Sequence, residues 1–204
     1  MTIGPHTTVA LVIFAKAPGI GKAKSRLAQE CGAPRADEIY RELLSHTATL
    51  VDRRPYYLAY AGDGVPGDLI SYFTHATDAV AQKGDTLGDR MAHALRWARA
   101  KGHSHACIIG CDCPSLDRTT LDDAFALSEN YDVVIGPATD GGYYLIQTNP
   151  QCSDLFSIEG WGGSTVLEKT LGVIKERGWS YRLLGERSDI DTYNDYLAWK
   201  GPRK

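Results

Sequence analysis

A disulfide framework is the first thing this sequence lacks. Its five cysteines, Cys31, Cys107, Cys111, Cys113 and Cys152, are odd in number and show no disulfide-rich spacing, which points to a reducing, cytoplasmic setting. Cys111 and Cys113 flank an aspartate, but no second Cys/His pair offers the soft ligands of a zinc site, so buried thiols are expected. An excess of one charge is also missing. The 22 lysines and arginines stand against 25 aspartates and glutamates, which excludes the basic footprint of a nucleic-acid or anionic-membrane partner. The longest apolar run, Val9 to Ala15, is far too short to span a bilayer. Met1 to Thr8 has no charged start, long apolar stretch or small-residue cleavage site, so residues 1–8 are expected to form a flexible tail rather than a secretory leader. Repeats, low-complexity tracts and an interdomain linker are absent, and residues 9–204 are expected to form one domain. No nucleophile–base pair suggests a hydrolase, because Ser115 follows a proline in a turn and has no histidine partner.

What the sequence does have is short apolar runs that end in turn residues. Ala106 to Ile109 runs into Gly110, Asp112 and Pro114, the pattern of a strand buried on both faces of a parallel sheet. Gly110 permits a sharp turn there, and Pro114 stops the strand. Val9 to Ala15 and Val133 to Pro137 read the same way. Tyr56 to Ala61, Ala79 to Ala81 and Tyr181 to Leu184 add further strands, and Tyr143 to Gln147 returns as an antiparallel one. Helical spacing predicts helices over Pro34–Asp52, Asp68–Thr74, Leu87–Lys101 and Asp117–Glu129. Another runs from an N-cap at Ser164 to Arg177, and Thr192 or Asp191 caps a short terminal helix.

Six stretches carry candidate chemistry. Asp112 stands at the carboxyl end of a central strand, the edge where open α/β sheets bind ligands. It is a candidate divalent-metal ligand, or else it caps the helix near Asp117 or orders the turn. Lys16 to Leu27 holds Gly19, Gly21 and the cations Lys16, Lys22, Lys24 and Arg26, a composition that suits phosphates; the alternative is a solvated basic loop. It is not a Walker A loop, since Lys16 and Ala23 stand where glycine and serine or threonine belong. Nor is it a dinucleotide fingerprint, because Lys24 replaces the third glycine. From Gln82 to Met91, Gly84 and Gly88 permit close approach by a ligand and Arg90 can grip a phosphate, unless Thr86 or Asp85 merely caps the helix. Asp140, Gly141 and Gly142 form either a hairpin turn or the floor of an acceptor pocket. Trp161 is a pocket wall or a core anchor, and Asp189 and Asp191 offer a second metal ligand or a cap.

Several motifs occur together in one order. They are Phe14-Ala-Lys-Ala-Pro-Gly-Ile-Gly-Lys-Ala-Lys-Ser-Arg-Leu27, Gly84-Asp-Thr-Leu-Gly-Asp-Arg-Met91, Gly110-Cys-Asp-Cys-Pro114, Gly136-Pro-Ala-Thr-Asp-Gly-Gly-Tyr-Tyr-Leu-Ile146, Trp161 and Asp189-Ile-Asp-Thr192. Jointly they resemble a bacterial family of glycosyltransferase A-like proteins within the nucleotide-diphospho-sugar transferase superfamily. Relatives include the nucleotidyltransferases of molybdenum-cofactor maturation and the guanylyltransferase of the deazaflavin cofactor. The resemblance covers Val9 to Leu197. It implies a Rossmann-like α/β fold, a mostly parallel central sheet with one antiparallel strand and helices on both faces.

The same resemblance implies a nucleotide-dependent transferase. Lys16, Gly19, Gly21, Lys22, Lys24 and Arg26 would meet phosphates, with Lys22, Arg26 and Asp112 in the catalytic set. Gln82, Gly84, Gly88 and Arg90 would meet base and ribose. Asp140, Gly141, Gly142, Tyr143 and Trp161 would receive the acceptor. Asp112 and Asp191 would hold Mg²⁺ or Mn²⁺, with Asp189 an alternative to Asp191. Cys113 and Pro114 reduce the D-x-D motif of glycosyltransferases to a single aspartate, and Asp191-Thr192-x-x-Asp195 is similar to a late D-T-x-x-D stretch. The first loop departs from the Gly-Gly-x-Gly-x-Arg pattern of nucleotidyltransferases, which favours glycosyl transfer from a nucleotide-sugar to a small acceptor. Nucleotidyl transfer and a non-catalytic nucleotide-binding protein are the alternatives.

Overall fold

The computed structural model describes residues 8–19, 21, 23–61 and 67–201. All of the expected tail except Thr8 lies outside them, as do Lys22 and most of the loop expected after Ala61. Strand β1 (Val9–Lys16) is followed by α1 (Ser25–Cys31), α2 (Ala33–Val51), β2 (Tyr57–Ala61), α3 (Gly67–Ile70), β3 (Asp78–Ala81) and α4 (Leu87–Arg99). Then come β4 (His105–Ile109), α5 (Arg118–Leu127), β5 (Val133–Pro137), β6 (Tyr143–Thr148), a 3₁₀ turn (Ser153–Phe156), α6 (Val166–Arg177), β7 (Tyr181–Leu183) and α7 (Tyr193–Lys200).

The strands form one seven-stranded sheet in the order β3-β2-β1-β4-β6-β5-β7. β6 pairs antiparallel with β4 and β5, and the other pairings are parallel. Alternation along β1 sends its side chains into two cores. Leu11 and Ile13 join Tyr40 and Leu44 of α2 and Leu121 of α5 on one face, while Ala10 and Val12 meet Met91 and Leu95 of α4 and Ile174 of α6 on the other. Because both faces are covered, β1 reads as an unbroken apolar run. From β1 the chain moves outward through β2 and β3, then returns to place β4 on the other side of β1. The crevice at the carboxyl ends of β1 and β4 is therefore the topological switch point, where sheets of this kind bind ligands.

The structure differs locally from the sequence reading. Helix Ser25–Cys31 begins inside the loop expected to run from Lys16 to Leu27 and continues past its end. Its N-cap is Lys24, in a left-handed conformation with no side-chain cap bond, so the usual start signal is missing. The N-cap of α6 is Thr165 and not Ser164, again with no side-chain cap bond. Helix α3 ends at Ile70, short of the expected Thr74. A third cluster, formed by Leu27, Ile39, Leu43, Ile190 and Tyr196, packs the C-terminal segment against α1 and α2.

Candidate active site

The turn after β4 sets the site. Asp112 follows Ile109 and Gly110, and its side chain is 44% exposed. The capping alternative for it falls away, because Asp117 caps α5 by accepting from the Thr120 N–H at 2.7 Å. The far C-terminal segment docks onto this turn. The Ile190 N–H donates to the Asp112 carbonyl at 2.8 Å. The Arg187 guanidinium donates to the Ser115 carbonyl, to Asp117 Oδ2 at 3.2 Å and to Thr120 Oγ1 at 2.7 Å. Nothing in the sequence singled out Arg187. Its partners lie about seventy residues away, so no local pattern marks it.

Lys24 closes the arrangement. Its Nζ lies 3.0 Å from Asp112 Oδ1, 3.3 Å from Asp191 Oδ1 and 2.6 Å from the Ile190 carbonyl. The side chain is only 6% exposed. Burial alone would push its pKa down, but the charges of Asp112 and Asp191 outweigh burial and hold it above the ordinary lysine value. An ammonium has three donors, and three acceptors surround this one. In this state Lys24 is thus a carboxylate bridge and not a free phosphate ligand.

Arg26 keeps a side chain 70% exposed, with a long 3.5 Å contact to Asp191 Oδ2, and Lys16 is exposed at the end of β1. The Tyr40 hydroxyl fixes that strand end, accepting from the Lys16 N–H at 2.9 Å and donating to its carbonyl at 3.1 Å. The Gly19 N–H is taken by Asp37 Oδ1 at 2.6 Å, so that amide is not offered to a ligand. Asp37 and Tyr40 carried no signal in the sequence beyond their helical spacing.

Lys16, Lys24, Arg26, Gln82, Asp112, Asp140, Tyr143, Asp189 and Asp191 line one cavity of about 480 Å³. Its other walls are apolar, including Phe14, Leu87, Met91 and Ile108. Burial, and after it the charge of Asp112, pushes the Asp189 carboxyl up to about 7. Its Oδ1 is buried with no hydrogen-bond partner. Such an orphaned oxygen beside two further carboxylates fits a hard cation, and an all-oxygen donor set suits Mg²⁺ or Mn²⁺ over zinc. Among the described residues no three carboxylate, thiol or imidazole groups already converge as a ready-made metal cage. Asp195 is committed elsewhere, accepting from the Thr192 N–H and hydroxyl at 2.7 Å to cap α7.

The remaining candidates divide. Gln82 reaches the cavity while its amide donates to the Ala59 carbonyl at 2.9 Å. Gly84 lines a separate cavity and accepts from Arg90 Nε at 3.0 Å. Thr86 and Asp89 form the capping box of α4. Gly88 is buried and does not line the cavity, because a Cβ there would overlap the Phe156 carbonyl and the Trp161 indole. Trp161 packs edge-on against Tyr143, with ring centroids 6.4 Å apart. Gly141 is likewise a packing position. It has φ +88°, and a Cβ would collide with the Ser164 carbonyl. The Gly142 N–H donates to Asp140 Oδ1 at 2.9 Å, which orients that exposed carboxylate. Gly21 is exposed in the first loop, and Lys22 lies outside the described residues. The cysteines are free thiols; Cys111 and Cys113 are buried.

A mostly parallel sheet with one reversed strand and a carboxylate cleft at its switch point is consistent with the nucleotide-diphospho-sugar transferase superfamily, whose fold the similar solved structures share. The model of a family described as "Uncharacterized protein conserved in bacteria (DUF2064)" matches residues 44–163, and the chain belongs to that family. A crystal structure from Desulfovibrio desulfuricans G20, provisionally described as a nucleotide-diphospho-sugar transferase, is 29% identical with a TM-score of 0.84, over 91% of this chain and 83% of its own. A cytidylyltransferase from Leptospira borgpetersenii serovar Hardjo-bovis (strain JB197) is 14% identical with a TM-score of 0.62, over 96% of this chain and 86% of its own. Rv0371C from Mycobacterium tuberculosis H37Rv, solved as a complex with manganese, is 14% identical with a TM-score of 0.53, over 93% and 96%. These last two share the fold alone. No curated protein matches the sequence. Among the described residues, no helix is long and apolar enough to cross a membrane.

Proposed function

We propose that the protein is a metal-dependent transferase with a nucleotide donor, and that its reaction is glycosyl transfer from a nucleotide-sugar to a small acceptor. The observation that carries this reading is the meeting of Asp112, Asp191 and Lys24 on one wall of the 480 Å³ cavity. The cavity's size and its division into charged and apolar walls suit a donor with a phosphorylated end and a flatter, less polar one. The manganese complex of a protein of the same fold supports a divalent ion.

In this reading Asp112 and Asp191, with Asp189 beside them, hold Mg²⁺ or Mn²⁺. When bound, that ion supplies Lewis-acid neutralisation of the donor's phosphate charge. Lys16 and Arg26 neutralise the remainder from the mouth of the cleft. Gln82 meets the base and ribose, while Tyr143, backed edge-on by Trp161, walls the acceptor side; Gly84 and Arg90 lie outside this cavity. Asp140 takes the proton of the acceptor hydroxyl. That oxygen bonds to the anomeric carbon, the bond from this carbon to the donor's phosphate oxygen breaks, and the nucleoside diphosphate leaves. Positioning and fixed charge supply most of the acceleration.

The cations of the first loop favour a second reading, nucleotidyl transfer, since a triphosphate brings more negative charge to neutralise. There the acceptor oxygen bonds to the α-phosphorus and pyrophosphate leaves. Nucleotide-sugars and nucleoside triphosphates, supplied separately with Mg²⁺ or Mn²⁺ and a panel of small acceptors, separate the two. Nucleoside diphosphate release supports glycosyl transfer, and pyrophosphate release replaces it with nucleotidyl transfer. Nucleotide binding without either product across the panel overturns both.

A further inference from the structure

Lys24 holds an unusual position for a cation in a phosphate-facing loop. It is the only non-glycine residue with positive φ among the described residues, at 55°. A side chain in that region is disfavoured, and such strain persists only where the surroundings over-determine it. What over-determines it is visible: three acceptors on a buried ammonium, drawn from the β4 turn and from the Ile190–Asp191 segment. Without a cation between them, Asp112 and Asp191 would face each other with unpaired charge in a partly buried wall.

We propose that the Lys24 ammonium is a resident counter-ion of the carboxylate pair, which a divalent ion must displace before it can bind. This rests on the metal site proposed above. An ammonium hydrogen-bonded to Asp112 Oδ1 and Asp191 Oδ1 occupies the same oxygens that a divalent ion needs. The metal alone therefore binds poorly, and the released ammonium needs a new anion. Donor phosphates are the anion at hand, next to Arg26 and Lys16. Metal and donor thus raise each other's affinity, and by linkage the factor is the same in both directions. Lys24 is a positioning residue in this scheme. It keeps the carboxylates together while the cleft is empty and couples the two ligands when it fills.

The test uses Mn²⁺ alone as the probe, titrated by electron paramagnetic resonance without any nucleotide. Lys24→Met removes the competing charge and keeps the apolar stem. It is expected to bind Mn²⁺ about tenfold or more tightly than the wild type, within the ordinary range for coupled sites. Lys24→Arg retains a cation and is expected to stay near the wild-type affinity. The double variant Lys24→Met/Asp112→Asn is expected to lose the gain. A second measurement keeps the wild-type chain. Acetylation of Lys24 by acetic anhydride, mapped by mass spectrometry, is expected to speed up severalfold in saturating Mn²⁺. Lys101, paired with Asp78 at 2.6 Å, serves as the unaffected control. Equal or weaker Mn²⁺ binding by Lys24→Met, or an unchanged Lys24 acetylation rate in saturating Mn²⁺, overturns the exchange while leaving the metal site standing. No Mn²⁺ binding by either protein at millimolar concentration overturns the metal site as well.

Discussion

The backbone N–H of Ile190 donates to the carbonyl of Asp112 at 2.8 Å. This one bond brings a residue near the C-terminus to the turn after the central strand. The carboxylates on either side, Asp112 and Asp191, are thereby aimed at the same ammonium. The site is thus a product of tertiary docking, and disturbing the docking should disturb the site.

Arg187 is the strongest side-chain tie in that docking, with its bonds to Ser115, Asp117 and Thr120. Arg187→Ala should lower stability by about 1–3 kcal/mol, the usual cost of losing charge-assisted bonds. It should also weaken Mn²⁺ binding although it does not touch the cavity. Urea unfolding and a Mn²⁺ titration check the two effects. Wild-type values in both would show that the segment docks without it.

Gly88→Ala sets two effects against each other. Removing a glycine from a helix ordinarily stabilises by about 0.5–1 kcal/mol. Here the new methyl meets the Phe156 carbonyl and Trp161, and overpacking costs about 1–3 kcal/mol. The clash should win, lowering the urea midpoint and altering tryptophan fluorescence. A raised midpoint would show that Trp161 yields freely.

Thiol chemistry reads the packing around Asp112. Burial pushes the Cys113 thiol up to about 11 and that of Cys152 up to about 12, and it raises Cys107 and Cys111 further. Only Cys31 is partly exposed. An aromatic disulfide reagent at neutral pH should label one thiol rapidly, Cys31, with the others following only on unfolding. Rapid labelling of Cys111 would contradict the buried turn.

Asp132 makes a pH prediction at the opposite end of the sheet. The Ser180 hydroxyl at 2.7 Å, the Ser180 N–H at 2.8 Å and the Asn149 amide at 2.7 Å all donate to it. The Ser180 hydroxyl foremost, with these other donors, holds its carboxyl below the usual range. A depressed carboxylate pKa stabilises the fold above the unfolded value of about 3.9 and loses that contribution as pH falls through the folded value. Asp132→Ala should therefore cost more stability at pH 7 than at pH 3. An equal cost at both would assign the effect to packing alone.

The sheet was largely legible because its strands are buried on both faces, which leaves continuous apolar runs such as Val9 to Ala15 and Val133 to Pro137. Helix α1 was not, since it starts at a left-handed lysine with no capping side chain. The sequence also marked Asp112, Asp140 and Asp191 as candidates and left caps and turns open beside them. The structure assigns the α5 cap to Asp117 and the α7 cap to Thr192 and Asp195. That frees Asp112 and Asp191 for the cleft. Spacing did not reveal that Lys24 pairs with carboxylates 88 and 167 residues away, because only folding sets that distance. Gly88 and Gly141 looked like ligand contacts, and each instead makes room for a neighbour.

On the proposed reading, Asp112, Asp191 and the first loop form a single site for a nucleotide and a divalent ion. Thermal unfolding of the wild type, Asp112→Ala and Asp191→Ala tests it most directly, with nucleoside triphosphates and nucleotide-sugars supplied with and without Mn²⁺. At least one donor should raise the wild-type melting temperature only when Mn²⁺ is present, since a ligand of the native state stabilises it. Both variants should lose that response, and Asp112→Ala should turn over the same donor about a hundredfold more slowly. A donor that stabilises all three proteins equally, with or without metal, would contradict the claim.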